Sequence, residues 1–327
     1  MKRRDFISLV GGAAAWPLAA RAQQADRIRR VGILMPYAVT DTEIQTRVRA
    51  LRQELQKRGW TEGGNVQFDE HWTTDDRDLI QAHAADLLAS KPDVVVAIGR
   101  VIPVLMNMTG SIPIVFPGSG DPVGTGLVKS LARPGGNVTG FSLLEFSIIG
   151  KMMEMLKQIA PGTSRVAMVY NHDNHAAAFY ARSFEGFAAP LGIVPIRAPI
   201  HGMAELERAI EMLVETQNGA VLFATDLTVT VLRDQVVALM ARHRLPAIYS
   251  DSVLVKSGGL ISYAADRVDL YRHAGSYVDR ILRGENPAEL PVQQPTKYEL
   301  VINLKTARAA GLDVPQILLA RADEVIE

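Results

Sequence analysis

Gly118-Ser119-Gly120-Asp121-Pro122 places a hydroxyl and a carboxylate inside a glycine-rich turn. Such a turn either only reverses the chain, since Asp before Pro favours turning, or it offers oxygens and free backbone N–H groups to a small ligand. A phosphate site is not among its uses. After Gly124 and Gly126 the chain continues Leu127-Val128 where a P-loop needs Gly-Lys-Ser/Thr, and Val123 stands where a dinucleotide fingerprint needs its third glycine. No nucleotide or other cofactor is expected.

Five further positions follow apparent strand ends. Gly99-Arg100 brings a guanidinium, whose planar fork of donors fits a carboxylate, although Arg100 can equally face solvent or pair with a nearby acid. Thr225-Asp226 brings a carboxylate that either takes a ligand ammonium or caps the helix beginning at Leu227 or Thr228. Arg100 and Asp226 together would clamp a zwitterion, whereas Arg100 alone suits a simple organic acid. Tyr37 and Tyr249 are placed either to stack on an aromatic or apolar ligand or to cover a cleft rim, and Asn171 to donate to a ligand oxygen.

His172-Asp173-Asn174-His175 has histidines three apart, but no third ligand follows at a zincin spacing, so no metal is expected. No Gly-x-Ser-x-Gly occurs, and His71, His83, His201, His243 and His273 have no evident nucleophile beside them. The chain offers no catalytic set and reads as a binder, not an enzyme.

The elements that must position these residues alternate. Val31–Met35, Asn65–Trp72, Val94–Ile98 and Ile112–Phe116 read as strands, with helices from near Asp41, from Arg77 and from near Pro103 between them. A short helix is expected between the central turn and Pro134-Gly135-Gly136, and one from Glu145 to Ile159 carries the chain onward. The second half repeats the plan, with strands Arg165–Tyr170, Ile193–Ala198, Gly219–Ala224, Pro246–Tyr249 and Gly259–Tyr263, and one helix over Leu227–His243. A helix over Asp266–Leu282, an extended Leu290–Pro295, a last strand Lys297–Asn303 and a terminal helix starting at Asp313-Val314-Pro315 complete the chain. Continuously apolar strands separated by helices mean parallel sheets covered on both faces. The fold class is therefore α/β, with two similar doubly wound parallel-sheet lobes and a ligand cleft between them. Boundaries fall near residues 28–142 plus 264–292 for one lobe and 143–263 plus 293–327 for the other.

The chain has 327 residues, enough for two domains with cores of their own, and no cysteine, which removes disulfides and thiolate chemistry. Its 35 basic and 35 acidic side chains cancel, so no polyanion-binding face is implied and nucleic acid is not an expected partner. Lys2-Arg3-Arg4, the small-residue apolar run Leu9–Ala20 and Ala20-Arg21-Ala22 read as a twin-arginine-like export signal over residues 1–22, with the mature periplasmic protein starting near Gln23.

Three long stretches carry a likeness: Ile112–Phe116 with Gly120–Val128, Leu131–Gly140, and Leu290–Ala307; Arg242–Tyr249 and Gly258-Gly259-Leu260 add to it. Through them the mature chain resembles the tryptophan/tyrosine-type family of ABC transporter substrate-binding proteins. The resemblance implies the type I periplasmic binding fold, capture of an amino acid, aromatic acid or related carboxylate by lobe closure, and delivery to ABC permease transmembrane subunits, with a monomer expected. Two departures stand at the cleft. Gly99-Arg100-Val101-Ile102-Pro103 replaces the family's Gly-Gly-Thr-Pro-Ala, and Thr225-Asp226-Leu227 replaces its Asp-Pro. A sensor-type binding protein that reports to a receptor, or an enzyme on a two-lobed scaffold, would share much of this pattern; genomic neighbours would discriminate, since permease and ATPase genes next door would favour transport.

Overall fold

The computed structural model describes residues 27–74, 76–143, 147–174 and 176–327. The export signal therefore lies outside the described residues, as do Glu145 and His175.

Five strands make the first sheet: β1 (Arg29–Met35), β2 (Val66–Trp72), β3 (Val94–Ala97), β4 (Ile114–Ser119) and β5 (Val138–Ser142). Their order is β2-β1-β3-β4-β5 and every pairing is parallel. All four residues of β3 are fully buried, because the sheet is covered on both faces. Val94 and Val96 point to helices α1 (Thr42–Lys57) and α10 (Arg267–Leu282), while Val95 and Ala97 point to α2 (Arg77–Ala89) and α3 (Val101–Met108). Each such valine contributes about 1.5–3 kcal/mol by leaving water. Asp41 starts α1 by accepting from the Ile44 amide at 3.2 Å, which leaves Ile44, Val48, Leu51 and Leu55 at helical spacing on the buried side.

The second sheet has seven strands, ordered β12-β11-β10-β9-β8-β6-β7. They are β6 (Arg165–Asn171), β7 (Val194–Ile200), β8 (Gly219–Phe223), β9 (Ala247–Tyr249), β10 (Ile261–Ala265), β11 (Tyr298–Asn303) and β12 (Glu324–Ile326). Along β6, Val166 and Met168 face α4 (Ser147–Ile159) and α5 (Ala177–Ala188). Ala167 and Val169 face the other way, toward α6 (Met203–Val214), α8 (Arg233–His243) and α9 (Ser252–Lys256). Two α/β lobes result, as the alternation of apolar strands and helices implied.

Helix α10 packs on α1 and the first sheet although β10 before it and β11 after it belong to the second. The chain thus crosses between lobes between β5 and α4, at Ala265-Asp266 and again over 293–298. The last two crossings are tied together. The Asp266 amide donates to the Lys297 carbonyl at 3.1 Å and Lys297 Nζ donates to the Asp266 carboxylate at 2.8 Å.

Several expectations need correction. Residues 121–133 form turns and no helix, because the Asp121 cap on the Gly124 amide at 2.8 Å is followed by Gly124 and by Gly126 at φ +74°, which breaks the helical backbone after one turn. The stretch Leu227–His243 is two helices, α7 (Leu227–Val231) and α8, which meet at Leu232. The second sheet is not wholly parallel, since β11 returns from the other lobe and runs antiparallel to β10. The terminal helix is only α12 (Gln316–Leu319), after the short α11 (Leu304–Ala309), and an unexpected strand, β12, follows it.

Candidate functional site

A cavity of about 410 Å³ lies between the lobes at the carboxyl ends of their strands. Open α/β sheets bind ligands there because loops and helix N-termini converge. Tyr37, Gly99, Arg100, Gly118, Ser119, Asp121, Asn171, Thr225 and Asp226 all line it. Tyr249 does not. It is fully buried beneath the second sheet, its ring stacked on Phe223 at 5.0 Å between centroids. The correction follows from strand alternation: in the short β9, Tyr249 lies on the same face as Ala247, which is buried against the second lobe's core.

Gly99 ends β3 in the left-handed region at φ +64°, which only glycine adopts without strain. A Cβ there would stand 2.7 Å from Leu227 Cδ2, so the loop after β3 and the start of α7 touch across the cleft. Leu227 and Val231 pack on the first lobe's core cluster although they belong to the second lobe. Arg100 sits at the N-terminal end of α3, whose first turn has no side-chain cap. Asp121 is nearly buried and held by the Gly124 amide.

On the opposite wall, Asp226 caps α7, accepting from the Thr228 amide at 2.8 Å, as the capping alternative held. It also accepts from Asn174 Nδ2 at 3.0 Å, and it still faces the cavity. Asn171 is buried and donates to Thr228 Oγ1 at 2.9 Å.

Three residues that sequence reasoning passed over form the most charged part of the wall. Arg47, on the buried face of α1, donates to Asp251 through Nη2 at 2.6 Å and Nη1 at 3.1 Å, a bidentate pair across the lobes. Arg267, at the start of α10, lies with Nε 3.5 Å from the same carboxylate, too far for a good hydrogen bond. One of its Nη atoms donates to the Ser250 carbonyl at 3.3 Å, but Nε is buried and has no hydrogen-bond partner. Two guanidiniums therefore share one carboxylate in a wall that water hardly reaches. Burial opposes charge on Asp251, yet Arg47 and Arg267 outweigh it and hold the carboxyl below the ordinary aspartate value. Burial pushes the Tyr37 phenol well above its usual value, so it stays a neutral hydrogen-bonding group. A signal for Arg47 existed in the sequence, since it falls on the apolar face of α1, three residues after Ile44, where a charge needs a partner. Nothing local marked Asp251 as its partner 204 residues away.

The arrangement is a cavity between the lobes with cations and anions on facing walls. Residues 33–326 match the family described as "ABC transporter substrate binding protein", and the chain belongs to it. Among curated relatives, a "Tyrosine-binding protein" of Clostridioides difficile (strain R20291) is 28% identical over 275 residues, covering 83% of this chain and 79% of the relative. A solved structure of a conserved domain protein from Vibrio cholerae is 28% identical with a TM-score of 0.82, covering 91% of this chain and all of that one. An ABC domain in complex with L-Trp from Streptococcus pneumonia has the same TM-score at 24% identity, over 91% and 99% of the two chains. The fold is thus the type I periplasmic binding fold, and the protein is a substrate-binding protein of the ABC transporter class.

Proposed function

We propose that this protein captures an amino acid or a related carboxylate, aromatic ligands included, by lobe closure in the periplasm and delivers it to an ABC permease without altering it. The observation that carries the reading is the buried Arg47–Asp251–Arg267 group in the cavity wall, with Arg267 Nε lacking an acceptor. A ligand carboxylate supplies that acceptor and balances the second guanidinium. The uncapped N-terminal end of α3 and Arg100 add to the same positive side. Asp226, on the facing wall, is the pole for an ammonium, with Asp121 of the first lobe as a second carboxylate lining the cavity. Tyr37, Gly99, Gly118, Ser119, Asn171 and Thr225 complete the proposed ligand-binding set. What the C. difficile relative is named for binding supports an amino acid.

Closure is supported by contacts that only facing lobes can make. Arg233 reaches Asp41 at 2.7 Å, and Lys256 lies 3.6 Å from Glu43. We assign residues 28–142 with 266–292 to one lobe and 143–265 with 293–327 to the other, on the membership of the two sheets and the packing of α10; the boundary expected at 264 moves to 266 because Ala264 and Ala265 complete β10. Export, with cleavage after about Ala22, and a monomeric state belong to the same reading.

Thermal-shift measurements with tryptophan, tyrosine and their deaminated aromatic acids test it. A ligand at a hundred times its Kd adds about 2.7 kcal/mol of stability. No shift with any amino acid or carboxylate, or turnover of one of them, overturns the reading.

A further inference from the structure

The parallel ladder between β6 and β7 runs to Asn171 opposite Ile200 and is extended one step, because the His172 amide donates to the Ile200 carbonyl at 2.9 Å. His172 and His201 therefore leave the sheet side by side, with ring centroids 5.1 Å apart. Asp173 stands between them. His172 Nδ1 is 3.6 Å from Asp173 Oδ1 and His201 Nε2 is 4.0 Å from the same oxygen. One ligand atom from each of the three lies within 4.8 Å of the others. The tetrahedral site of a zinc ion has its ligand atoms roughly 3.3–3.5 Å apart, as bond lengths near 2.0–2.2 Å require. Small rotations of these exposed side chains close the difference.

Two features point to a ligand role beyond proximity. The Asp173 amide donates to Asn171 Oδ1 at 2.8 Å, which fixes the loop that carries the carboxylate. Glu205, in the first turn of α6, lies 3.0 Å from His201 Nδ1 and also accepts the His201 amide. A carboxylate at Nδ1 keeps the proton on that nitrogen and leaves Nε2 with its lone pair turned to Asp173, the outer-shell arrangement that metal-bound histidines require.

We propose that His172, Asp173 and His201 form a binding site for Zn2+ or a similar borderline divalent cation, with Glu205 as its positioning residue. Two imidazoles and one carboxylate suit zinc, copper or nickel better than magnesium or calcium. Three protein ligands leave a coordination position open. Because Asp173 also lines the ligand cavity, that position is at the cavity's mouth. The sequence hid the set because its third ligand, His201, comes from the next strand and not from the stretch 172–175.

Titration of the tag-free protein with zinc chloride against a chromophoric chelator tests the site. One ion per chain with a micromolar Kd is expected. His172→Ala, His201→Ala and Asp173→Asn should each weaken binding at least tenfold, and Glu205→Gln about tenfold, the lower end of outer-shell effects. His83→Ala is the control, since His71 and His83 form a separate pair with Nδ1 atoms 2.9 Å apart. All three proposed ligands are exposed, so metal-free melting should match the parent protein. The proposal is overturned by no saturable zinc uptake, by uptake that survives loss of both His172 and His201, or by uptake lost in His83→Ala.

Discussion

The two walls of the cavity differ in charge more than in any other property. Among the described residues, the first lobe contributes Arg47, Arg77, Arg100 and Arg267 against the single Asp121, whereas the second contributes Asp173, Asp226 and Asp251 and no basic residue. Four cations less one anion leave three positive charges facing three negative ones. Charges of opposite sign across a cleft draw the lobes together, and they do so over less than about 8 Å at physiological salt. Under the proposed function, a zwitterion entering the gap would be oriented before it is bound. The carboxylates are also the better anchored side, since Asp226 and Asp251 both cap helices while Arg267 keeps an unsatisfied nitrogen.

Removing the anion shared by the two arginines breaks this contrast most severely. Asp251→Ala leaves two buried guanidiniums without a counter-charge, and losing one partner of a buried pair costs about 3–5 kcal/mol. Most of the loss should fall on the closed form, because opening the lobes returns Arg47 and Arg267 to water. Ligand affinity measured by calorimetry should collapse while urea unfolding changes less. The same carboxylate sets a pH dependence. Its folded pKa is lowered, so its contribution is complete above the ordinary aspartate value and is lost as pH falls through the lower folded value. Closed-form stability that stays flat through that acid range would mean that Asp251 is not ionised in the wall.

On the positive wall, Arg267→Ala should weaken carboxylate ligands by about 1.5–3 kcal/mol, the range for hydrogen bonds to charged groups. Arg100→Ala, on the exposed side of the cavity, should cost less than Arg267→Ala where solvent screens its charge. The reverse order would move the carboxylate to the start of α3. Arg267→Lys should not restore affinity, because a point charge cannot reproduce the fork.

Sequence made one charged member of each wall visible, Arg100 on the positive side and Asp226 on the negative, together with Asp121, and missed the Arg47–Asp251–Arg267 group. Glycines at strand ends announced the loops after β3 and β4, and single acids in such loops, such as Asp121 and Asp226, stand out by type. Arg267 does not, because it lies at the start of a helix where arginine is an ordinary surface residue, and Arg47 is marked only by its place on the apolar face of α1. Only long-range packing, with α10 returned to the first lobe, makes them neighbours. The antiparallel β11 was hidden for the same reason. Its residues are apolar enough for any strand, and its direction depends on a crossing that occurs after the other lobe is revisited. The central turn imitates a helix in sequence because Leu127, Val128 and Leu131 fall at helical spacing while packing against the first lobe's core.

The point where the walls touch offers a finer probe. Gly99→Ala forces an L-residue into φ +64° at a cost of roughly 1–2 kcal/mol. Its methyl would also press on Leu227 Cδ2. The strain at Gly99 is local to its loop, whereas the contact with Leu227 joins the two lobes, and under the proposed closure it is made only in the shut form. Ligand affinity should therefore fall by more than the loss in unfolding free energy explains. Equal losses would mean that Leu227 moves aside and that the seam is soft.

The smallest effect tests whether Tyr249 belongs to either wall. Its hydroxyl is buried without a hydrogen-bond partner, and burial pushes its pKa above the usual tyrosine value. Tyr249→Phe removes an unsatisfied polar atom and keeps the ring on Phe223, so unfolding in urea should show a gain of up to about 1 kcal/mol. Ligand affinity should stay the same, because the ring lies under the second sheet and away from the cavity. Tyr37→Phe is the matched control, since Tyr37 follows β1 in the first lobe and does line the cavity. If the two substitutions change affinity alike, the strand alternation that buries Tyr249 is undone when ligand binds, and β9 must shift by one residue in register to bring the ring out.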